Sequence, residues 1–386
     1  MAVRKRIAVL VSMETIYGLN ILRGVARFVR ATDDWDFVFK PWETDWQDYD
    51  PQALRNGCDG ILCGLTRPRE LELLRQPPCP IVSVLETHQV FDVCQVLPDQ
   101  RAAGRLAAEH LQACGLRQFA CCSHHFTRFT DLRVDGFVEA IDKADLPVRR
   151  YDHDTRLGGE WSLPAERRDI AAWLRTLPTP LGFFAASDRR GCQIVHYARE
   201  LDIRVPEQLA VVGVDNIEMF CEFSHPPLSS VAMDHAQVGY QAASLLTDLL
   251  DGKATPPEPV LVPPRSVVAR ASTDTLAVDD PTVTAALRFI RTNACRGITI
   301  EDVLREVPVA RRTLEKAFRR HLGRTPFGEI RRLQLQRAKA LLADTDMAMP
   351  EVARIAGLRD GRYLSEVFRK ELDVTPTAYR RQFRKA

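Results

Sequence analysis

The chain has 386 residues, 45% of them hydrophobic, and 53 Lys plus Arg against 51 Asp plus Glu, a net charge of +2. This length exceeds what one hydrophobic core comfortably fills, and the composition excludes a collagen-like or disordered chain. Ten cysteines with no CxxC fit a reduced compartment better than a disulfide framework, and without an apolar run of about 18 residues no membrane span is expected.

Met1-Ala-Val-Arg-Lys-Arg6 leads into Ile7-Ala-Val-Leu-Val-Ser12, a strand run too short for a signal peptide, so a cytoplasmic protein is expected. A helix from about Gly18 to Ala31 follows. Further strand runs are Phe37–Phe39, Gly60–Cys63, Ile81–Val84, Phe119–Cys122, Gly182–Ala186 and Ala210–Val214, with amphipathic helices between them. Apolar strands alternating with helices predict parallel sheets in one or two lobes. In such sheets ligands sit outside the carboxyl ends of the strands.

Polar residues gather at those ends: Ser12 to Glu14, Asp99 before a helix beginning near Gln100, Ser187-Asp188 and Asp215-Asn216, with Arg133 near the start of another helix. Carboxylates, an amide and a guanidinium converging on a cleft suit the hydroxyls of a small polyol, with Tyr17 or Trp161 covering its apolar face. Taken singly, Asp99, Ser187 and Asp188 read equally well as helix caps. Cys121-Cys122-x-His124-His125 holds metal-ligand residue types, but four ligands within five residues cannot readily surround one ion, so a strand end with ordinary thiols is preferred and no metal is expected. Neither GxGxxG nor GxxxxGK[ST] is present, and no cofactor is expected. A junction is expected between Ala271 and Pro281, after the proline-rich segment Pro256 to Pro264 that closes the sheets.

Beyond it the chain repeats itself. Leu314, Phe318, Arg319, Leu322, Thr325 and Pro326 recur 50 residues later as Leu364, Phe368, Arg369, Leu372, Thr375 and Pro376. Asp302, Val303 and Arg305 recur as Glu351, Val352 and Arg354 at a spacing of 49, and the one-residue slip falls in the turn. Each copy reads as helix, tight turn, helix. In the first, Thr299 caps a helix over Ile300 to Glu306, Pro308 breaks it, and a second helix runs from about Arg311 to Leu322 before Gly323 stops it, with Leu314, Ala317, Phe318 and Leu322 on one face. In the second, Ala356-Gly357 supplies the turn, and Tyr363, Leu364, Val367 and Phe368 form the apolar face. This leaves Arg311, Arg312, Glu315, Lys316 and Arg319 facing outward in one copy, and Arg359, Arg362, Ser365, Glu366 and Arg369 in the other. That is helix-turn-helix geometry, in which such side chains reach base edges in the DNA major groove. From Asp279 onward 23 basic residues face 14 acidic ones, so a +9 tail follows a −7 body. A basic module of this kind is the footprint of binding to DNA phosphates.

The paired units, Leu314-x-x-x-Phe318 with Gly323-x-Thr325-Pro326, the connecting helix Phe327 to Leu342, and Ile355-Ala-Gly-Leu358 leading to Thr375-Pro376-x-x-Tyr379-Arg380 resemble the DNA-binding domain of the AraC/XylS family. Two positions depart from that family's pattern: Ala310 stands where a capping Ser is common, and Asp373 where a glycine is frequent. The body resembles the periplasmic-binding-protein-like effector domain of the LacI/GalR family through Val212-Gly-Val-Asp215-Asn216, Arg133-x-x-Gly136-Phe137, Ala186-Ser187-Asp188, and Pro227-Leu-Ser-Ser-Val231 leading to Gly239-Tyr-Gln-Ala-Ala243. In that family the matched Asp, Arg and Asn positions contact sugar hydroxyls; here Ser187 replaces the usual Asn. No DNA-binding helices precede the first strand run.

These readings predict a two-lobed α/β sensor with parallel sheets, followed by an all-α domain with two helix-turn-helix units. The sensor is placed at residues 1–274, the linker at 275–280 and the DNA-binding domain at 281–386. The expected sugar-binding residues are Glu14, Tyr17, Asp99, Arg133, Ser187, Asp188, Asp215 and Asn216. The resemblance implies a homodimeric activator of pentose catabolism genes that binds double-stranded operator DNA, senses D-xylose or a related aldopentose, and has RNA polymerase as a further partner. Two alternatives stand beside it: an architectural DNA binder with no sugar effector, and a doubly wound enzyme using Asp188 or Asp215 as a base.

Overall fold

The computed structural model describes residues 4–32, 34–39, 57–64, 79–86, 93–123, 128–151, 163–254, 256–274 and 280–383. Trp161, His124, His125 and most of the expected linker lie outside the described residues. The chain divides into two compact units: Met1–Ala103 with Phe126–Arg133 and Met233–Pro264, and Gly104–His125 with Val134–Ala232 and Arg265–Ala386.

The first unit holds strands β1 (Lys5–Leu10), β2 (Trp35–Phe39), β3 (Gly60–Cys63), β4 (Ile81–Ser83), β5 (Cys94–Pro98) and β11 (Val260–Val262), in the order β11-β5-β4-β3-β1-β2. All these pairings are parallel. The second holds β6 (Phe119–Cys122), β7 (Val148–Tyr151), β8 (Leu181–Ala185), β9 (Leu209–Val214), β10 (Ser229–Ala232) and β12 (Ser266–Val268), in the order β12-β10-β9-β8-β6-β7. Here only β10 with β12 is antiparallel. The two sheets share one winding: each grows outward from its first strand in both directions. The order reverses at β1/β3 and at β6/β8, the crevice positions of a doubly wound sheet.

Helices α1 (Ile16–Thr32), α2 (Gln100–Ala113), α3 (Arg128–Asp142), α4 (Leu163–Leu174), α5 (Asp188–Glu200), α6 (Glu218–Phe223) and α7 (His235–Leu250) complete the sensor. β3, β8 and β9 are buried along their whole length, which is why they appear in the sequence as unbroken apolar runs. In the first unit α1 and α7 cross with their backbones touching. A Cβ on Gly24 would lie 1.9 Å from the Ala236 carbonyl oxygen, and one on Gly239 would lie 2.0 Å from that of Ile21.

β1, β2, β3, β4, β6, β8 and β9 lie within two residues of the apolar runs in the sequence, whereas no strand is expected from sequence at β5, β7, β10 or β12. β7 is a solvated edge strand whose Arg149 and Arg150 are exposed. β10 contains Ser229 and Ser230, both fully buried. Their hydroxyls are satisfied by Ser229 Oγ to Thr273 Oγ1 at 2.7 Å and to the Arg270 carbonyl at 3.0 Å, and by Ser230 donating to Asp188. Buried serines require such distant partners, and local composition does not reveal them.

The second unit also carries α8 (Pro281–Asn293), α9 (Ile300–Glu306), α10 (Arg311–Leu322), α11 (Pro326–Asp344), α12 (Met349–Ile355), α13 (Gly361–Leu372) and α14 (Pro376–Phe383). Asp280 caps α8, accepting from the amides of Thr282 and Val283. A capping box joins Thr299 and Asp302 at the start of α9. Each helix-turn-helix closes its own core: Val303, Leu314 and Phe318 pack with Leu287 and Ile290, while Val352, Leu364 and Phe368 pack with Leu342 and Tyr379.

Candidate nucleic-acid interface and effector site

α10 and α13 are the second helices of their units, and burial of Leu314, Phe318 and Leu322, or of Leu364, Val367 and Phe368, turns the opposite face to solvent. Arg311, Arg312, Lys316 and Arg319 are exposed on α10; Arg362, Glu366 and Arg369 are exposed on α13, with Arg359 just before it. Glu315 and Ser365 are half-buried, and the Ser365 hydroxyl donates to the Gly361 carbonyl at 3.1 Å. Several of these charges are paired locally. Glu315 lies 3.0 Å from Arg311 and 3.9 Å from Arg319, and Glu366 lies 3.7 Å from Arg362. Exposed pairs of this spacing contribute about 0.3–0.5 kcal/mol each, so releasing the guanidiniums from them costs little. Arg359 is more committed: it pairs with Asp360 at 3.0 Å and stacks 5.0 Å from the Tyr363 ring centre, which Arg331 also approaches at 4.7 Å.

A residue with no pattern in the sequence joins the two helix-turn-helix motifs. Gln334 of α11 is buried, and its amide nitrogen donates to the Ala294 carbonyl at 3.1 Å and to the Gly357 carbonyl at 2.7 Å. Gly357 has φ +74°, and a Cβ there would lie 2.7 Å from the Ala294 carbonyl oxygen. The second unit's turn therefore sits directly against the end of α8 in the first half. A lone glutamine on a helix carries no pattern that would have announced this.

On the sensor side, the first unit places Tyr17 at the start of α1, its hydroxyl donating to the Val84 carbonyl just past β4 and its ring edge-on to His235 at 4.7 Å. Glu14 is exposed, beside Ser12. Asp99 caps α2, its carboxylate accepting from the Ala102 amide at 2.8 Å. Arg133 is 2% exposed, with Nε donating to Gln100 at 2.7 Å and the guanidinium 5.1 Å from the Phe129 ring centre. Gln100 thus orients Arg133, a role the sequence reading did not assign.

In the second unit Ser187 caps α5, accepting from the Arg190 amide at 3.2 Å. Asp188 is fully buried and accepts from the Ile217 amide at 2.6 Å and from the Ser230 hydroxyl. Burial first, then the nearby Asp215 carboxylate, pushes Asp188 up to about 7. Its side chain is thus taken up inside the unit, where it fixes the loop after β9. That loop holds Asp215 at φ 104° and Asn216 at φ 49°, left-handed conformations that non-glycine residues adopt only when the surroundings enforce them. The Asn216 amide donates to Ser230 Oγ at 3.0 Å, and its side-chain oxygen accepts from Arg270 at 3.0 Å. Arg270 is anchored in turn by Glu222 at 2.8 Å and the Leu228 carbonyl at 3.0 Å. The strain sits at the carboxyl end of a central strand, where the sequence placed a ligand.

The periplasmic binding protein-like domain family matches residues 108–273, and the helix-turn-helix domain family matches residues 303–382. The xylose operon regulatory protein of Haemophilus influenzae is 31% identical over 97% of this chain and 98% of its own length. That of Escherichia coli K12 is 31% identical over 98% of this chain and 97% of its own. The solved structure of the xylose-binding transcription activator XylR superposes on this fold with a TM-score of 0.61 at 30% identity, covering 100% of both chains. A periplasmic-binding-protein-like body with strained polar residues at a strand end, followed by two helix-turn-helix units, and a likeness that runs the length of these relatives have one reading: this chain belongs to the family of xylose operon regulatory proteins, sugar-responsive DNA-binding transcription regulators rather than enzymes.

Proposed function

We propose that D-xylose or a close aldopentose is the effector, and that the protein activates transcription of pentose catabolism genes from an operator duplex in the cytoplasm. Asp99, Arg133, Asp215 and Asn216 contact the sugar hydroxyls, Tyr17 covers an apolar face of the sugar, and Glu14, Ser187 and Asp188 border or brace these groups. The single observation that carries the sugar reading is the loop after β9, where Asp188, Ser230 and Arg270 together hold Asp215 and Asn216 in left-handed conformations. The near-full-length likeness to xylose regulators supports the choice of pentose. No helix among the described residues is long and apolar enough to cross a membrane.

The DNA is read by Arg311, Arg312, Glu315, Lys316 and Arg319 in one groove segment and by Arg359, Arg362, Ser365, Glu366 and Arg369 in the next, about 34 Å along the duplex. The sensor occupies residues 1–274 and the DNA-binding domain 281–386, a division supported by the capped start of α8 at Pro281. Protomers pair as a homodimer, in keeping with Met219 and Phe223 being 67% and 84% exposed on the short helix α6. RNA polymerase is a further contact. Thermal-shift screening of pentoses and hexoses tests the effector: D-xylose should raise the melting temperature saturably, and Asp215→Ala should abolish that rise without lowering basal DNA affinity. Silence across the whole sugar panel would overturn the reading.

A further inference from the structure

The second helix-turn-helix departs from the repeat at three positions around the start of its recognition helix. Arg359, Asp360 and Tyr363 stand where the first motif, 50 residues earlier, has Val309, Ala310 and Thr313. The three residues act on one another. Asp360 caps α13 by accepting from the Tyr363 amide at 2.7 Å, and its other carboxylate oxygen accepts from Arg359 Nε at 3.0 Å. The Tyr363 ring centre lies 5.0 Å from the Arg359 guanidinium carbon. The Tyr363 amide, then the Arg359 side chain, hold the Asp360 carboxyl below its ordinary value, so the pair stays ionised at neutral pH.

A fourth residue reaches this group from the connecting helix. Arg331 of α11 donates through Nη2 to the Tyr363 hydroxyl, and its guanidinium carbon lies 4.7 Å from the Tyr363 ring centre and 5.3 Å from that of Phe327, one turn earlier on α11. Arg331 Nη1 is enclosed and has no hydrogen-bond partner among the described residues, so this side of the guanidinium faces protein rather than a duplex. Enclosing a charged donor without a partner costs free energy that an apolar side chain would avoid. What the arginine adds is a grip on the Tyr363 ring, through the hydroxyl and through cation–π attraction. Arg359, by contrast, is exposed just ahead of α13. A long side chain gives up rotamer freedom when it binds, and holding it beforehand in its bound direction lowers that cost.

We infer that Arg331 is a positioning residue for DNA recognition by the second motif: it fixes the Tyr363 ring, and the ring with Asp360 holds the Arg359 guanidinium ready at the leading end of α13 for the duplex. The inference rests on the assignment of Arg359 to the DNA surface. With Val309, Ala310 and Thr313 in the corresponding places, the first motif has no such clamp. The preorganisation therefore belongs to one half of the operator.

A double-mutant cycle on full-length protein and operator duplex tests this, with Arg331→Met, Arg359→Ala and their combination. Tyr363→Phe serves as a milder variant that removes only the hydroxyl gripped by Arg331. Arg331→Met should weaken operator binding about 3- to 30-fold, within the span of interaction energies between touching residues. The lost protection should be confined to the half of the footprint that Arg359→Ala affects. In the Arg359→Ala background the same substitution should add less than about twofold. Tyr363→Phe should repeat both results at smaller amplitude, and it carries the test where Arg331→Met does not fold. Unaltered operator affinity in the folded variants would overturn the inference. So would an undiminished loss in the Arg359→Ala background, which would show Arg331 acting without Arg359. A distinct outcome, Arg359→Ala binding operator as wild type does, would overturn the assignment of Arg359 to the DNA surface and the inference with it.

Discussion

The two helix-turn-helix units descend from one sequence pattern yet are held in different ways. The second recognition helix, α13, is capped by Asp360, which accepts from the Tyr363 amide at 2.7 Å, and ends on Asp373 at φ 55°. The first, α10, starts at Ala310 with no side-chain cap and ends on Gly323 at φ 69°. What α10 lacks at its start it receives at its end from outside the repeat: Arg117 of the sensor lobe donates to the carbonyls of Arg320 and His321 at 3.0 and 2.9 Å. Gln336 adds a bond of 3.2 Å to the Val267 carbonyl of β12. The first helix-turn-helix is therefore tied to the sensor part of the same compact unit through Arg117, and the second helix-turn-helix is tied to the first through Gln334. The sensor lobe is thus bonded to the first recognition helix through Arg117 and to α11, which packs into the core of the second motif, through Gln336.

Four changes would break or sharpen that contrast. Phe318→Ala and Phe368→Ala each empty a fully buried site and should cost about 3–5 kcal/mol of stability. Chemical denaturation should show a loss in each, and DNA footprinting near the midpoint should lose one half of the operator site first, a different half for each variant. Simultaneous loss of both halves in both variants would show that the two cores act as one. Next, Arg312→Ala and Arg362→Ala should each weaken operator binding by about 1–3 kcal/mol and relax base preference in its own half. Equal losses on random DNA would assign these arginines to phosphate alone.

The third change is in pH. Held down by burial, then by the charges of Arg332 and Arg291, the His110 imidazole stays neutral when folded down to about 3 but protonates near its ordinary 6.5 when unfolded, so the unfolded chain binds more protons between those values. His110 therefore contributes stability that is full above pH 6.5 and is lost as pH falls toward 3, with a slope of at most about 1.4 kcal/mol per pH unit. Stability curves of wild type and His110→Gln should diverge below pH 6.5 and run parallel above it. The smallest effect belongs to Arg117→Ala, which removes a cation from a helix C-terminus and should cost about 0.3–1 kcal/mol of stability. Its informative readout is the sugar response: operator binding by the first half should become less sensitive to sugar, while the second half's own base preference stays as it was.

The legibility of the sequence followed the range of the interactions. The DNA-binding module could be read almost completely because its determinants are local: Thr299 with Asp302, the face Leu314–Phe318–Leu322 and the αL residue Gly323 all act within a turn or two of helix. The sensor was readable where strands are apolar throughout, and Asp215-Asn216 stood out only because they follow the run Val211 to Val214. Hidden were the supports. Arg270 reaches Asn216 across 54 residues, Ser230 reaches Asp188 across 42, and Arg117 reaches α10 across 203. Such pairings have no period, and β10 was missed for the same reason: its buried serines look like loop until their partners are in place. Asp188, named from sequence as one of several candidate sugar contacts, is engaged by Ile217 and Ser230 as a brace for the neighbouring residues.

Sugar is expected to alter how this chain reads DNA. The most direct measurement is the binding isotherm and footprint of full-length protein on operator DNA with and without saturating D-xylose. A shift in affinity of about 5- to 150-fold, the usual span of allosteric coupling, is expected, together with a changed footprint and no comparable effect on random DNA. Superimposable isotherms and footprints in the two conditions would contradict it.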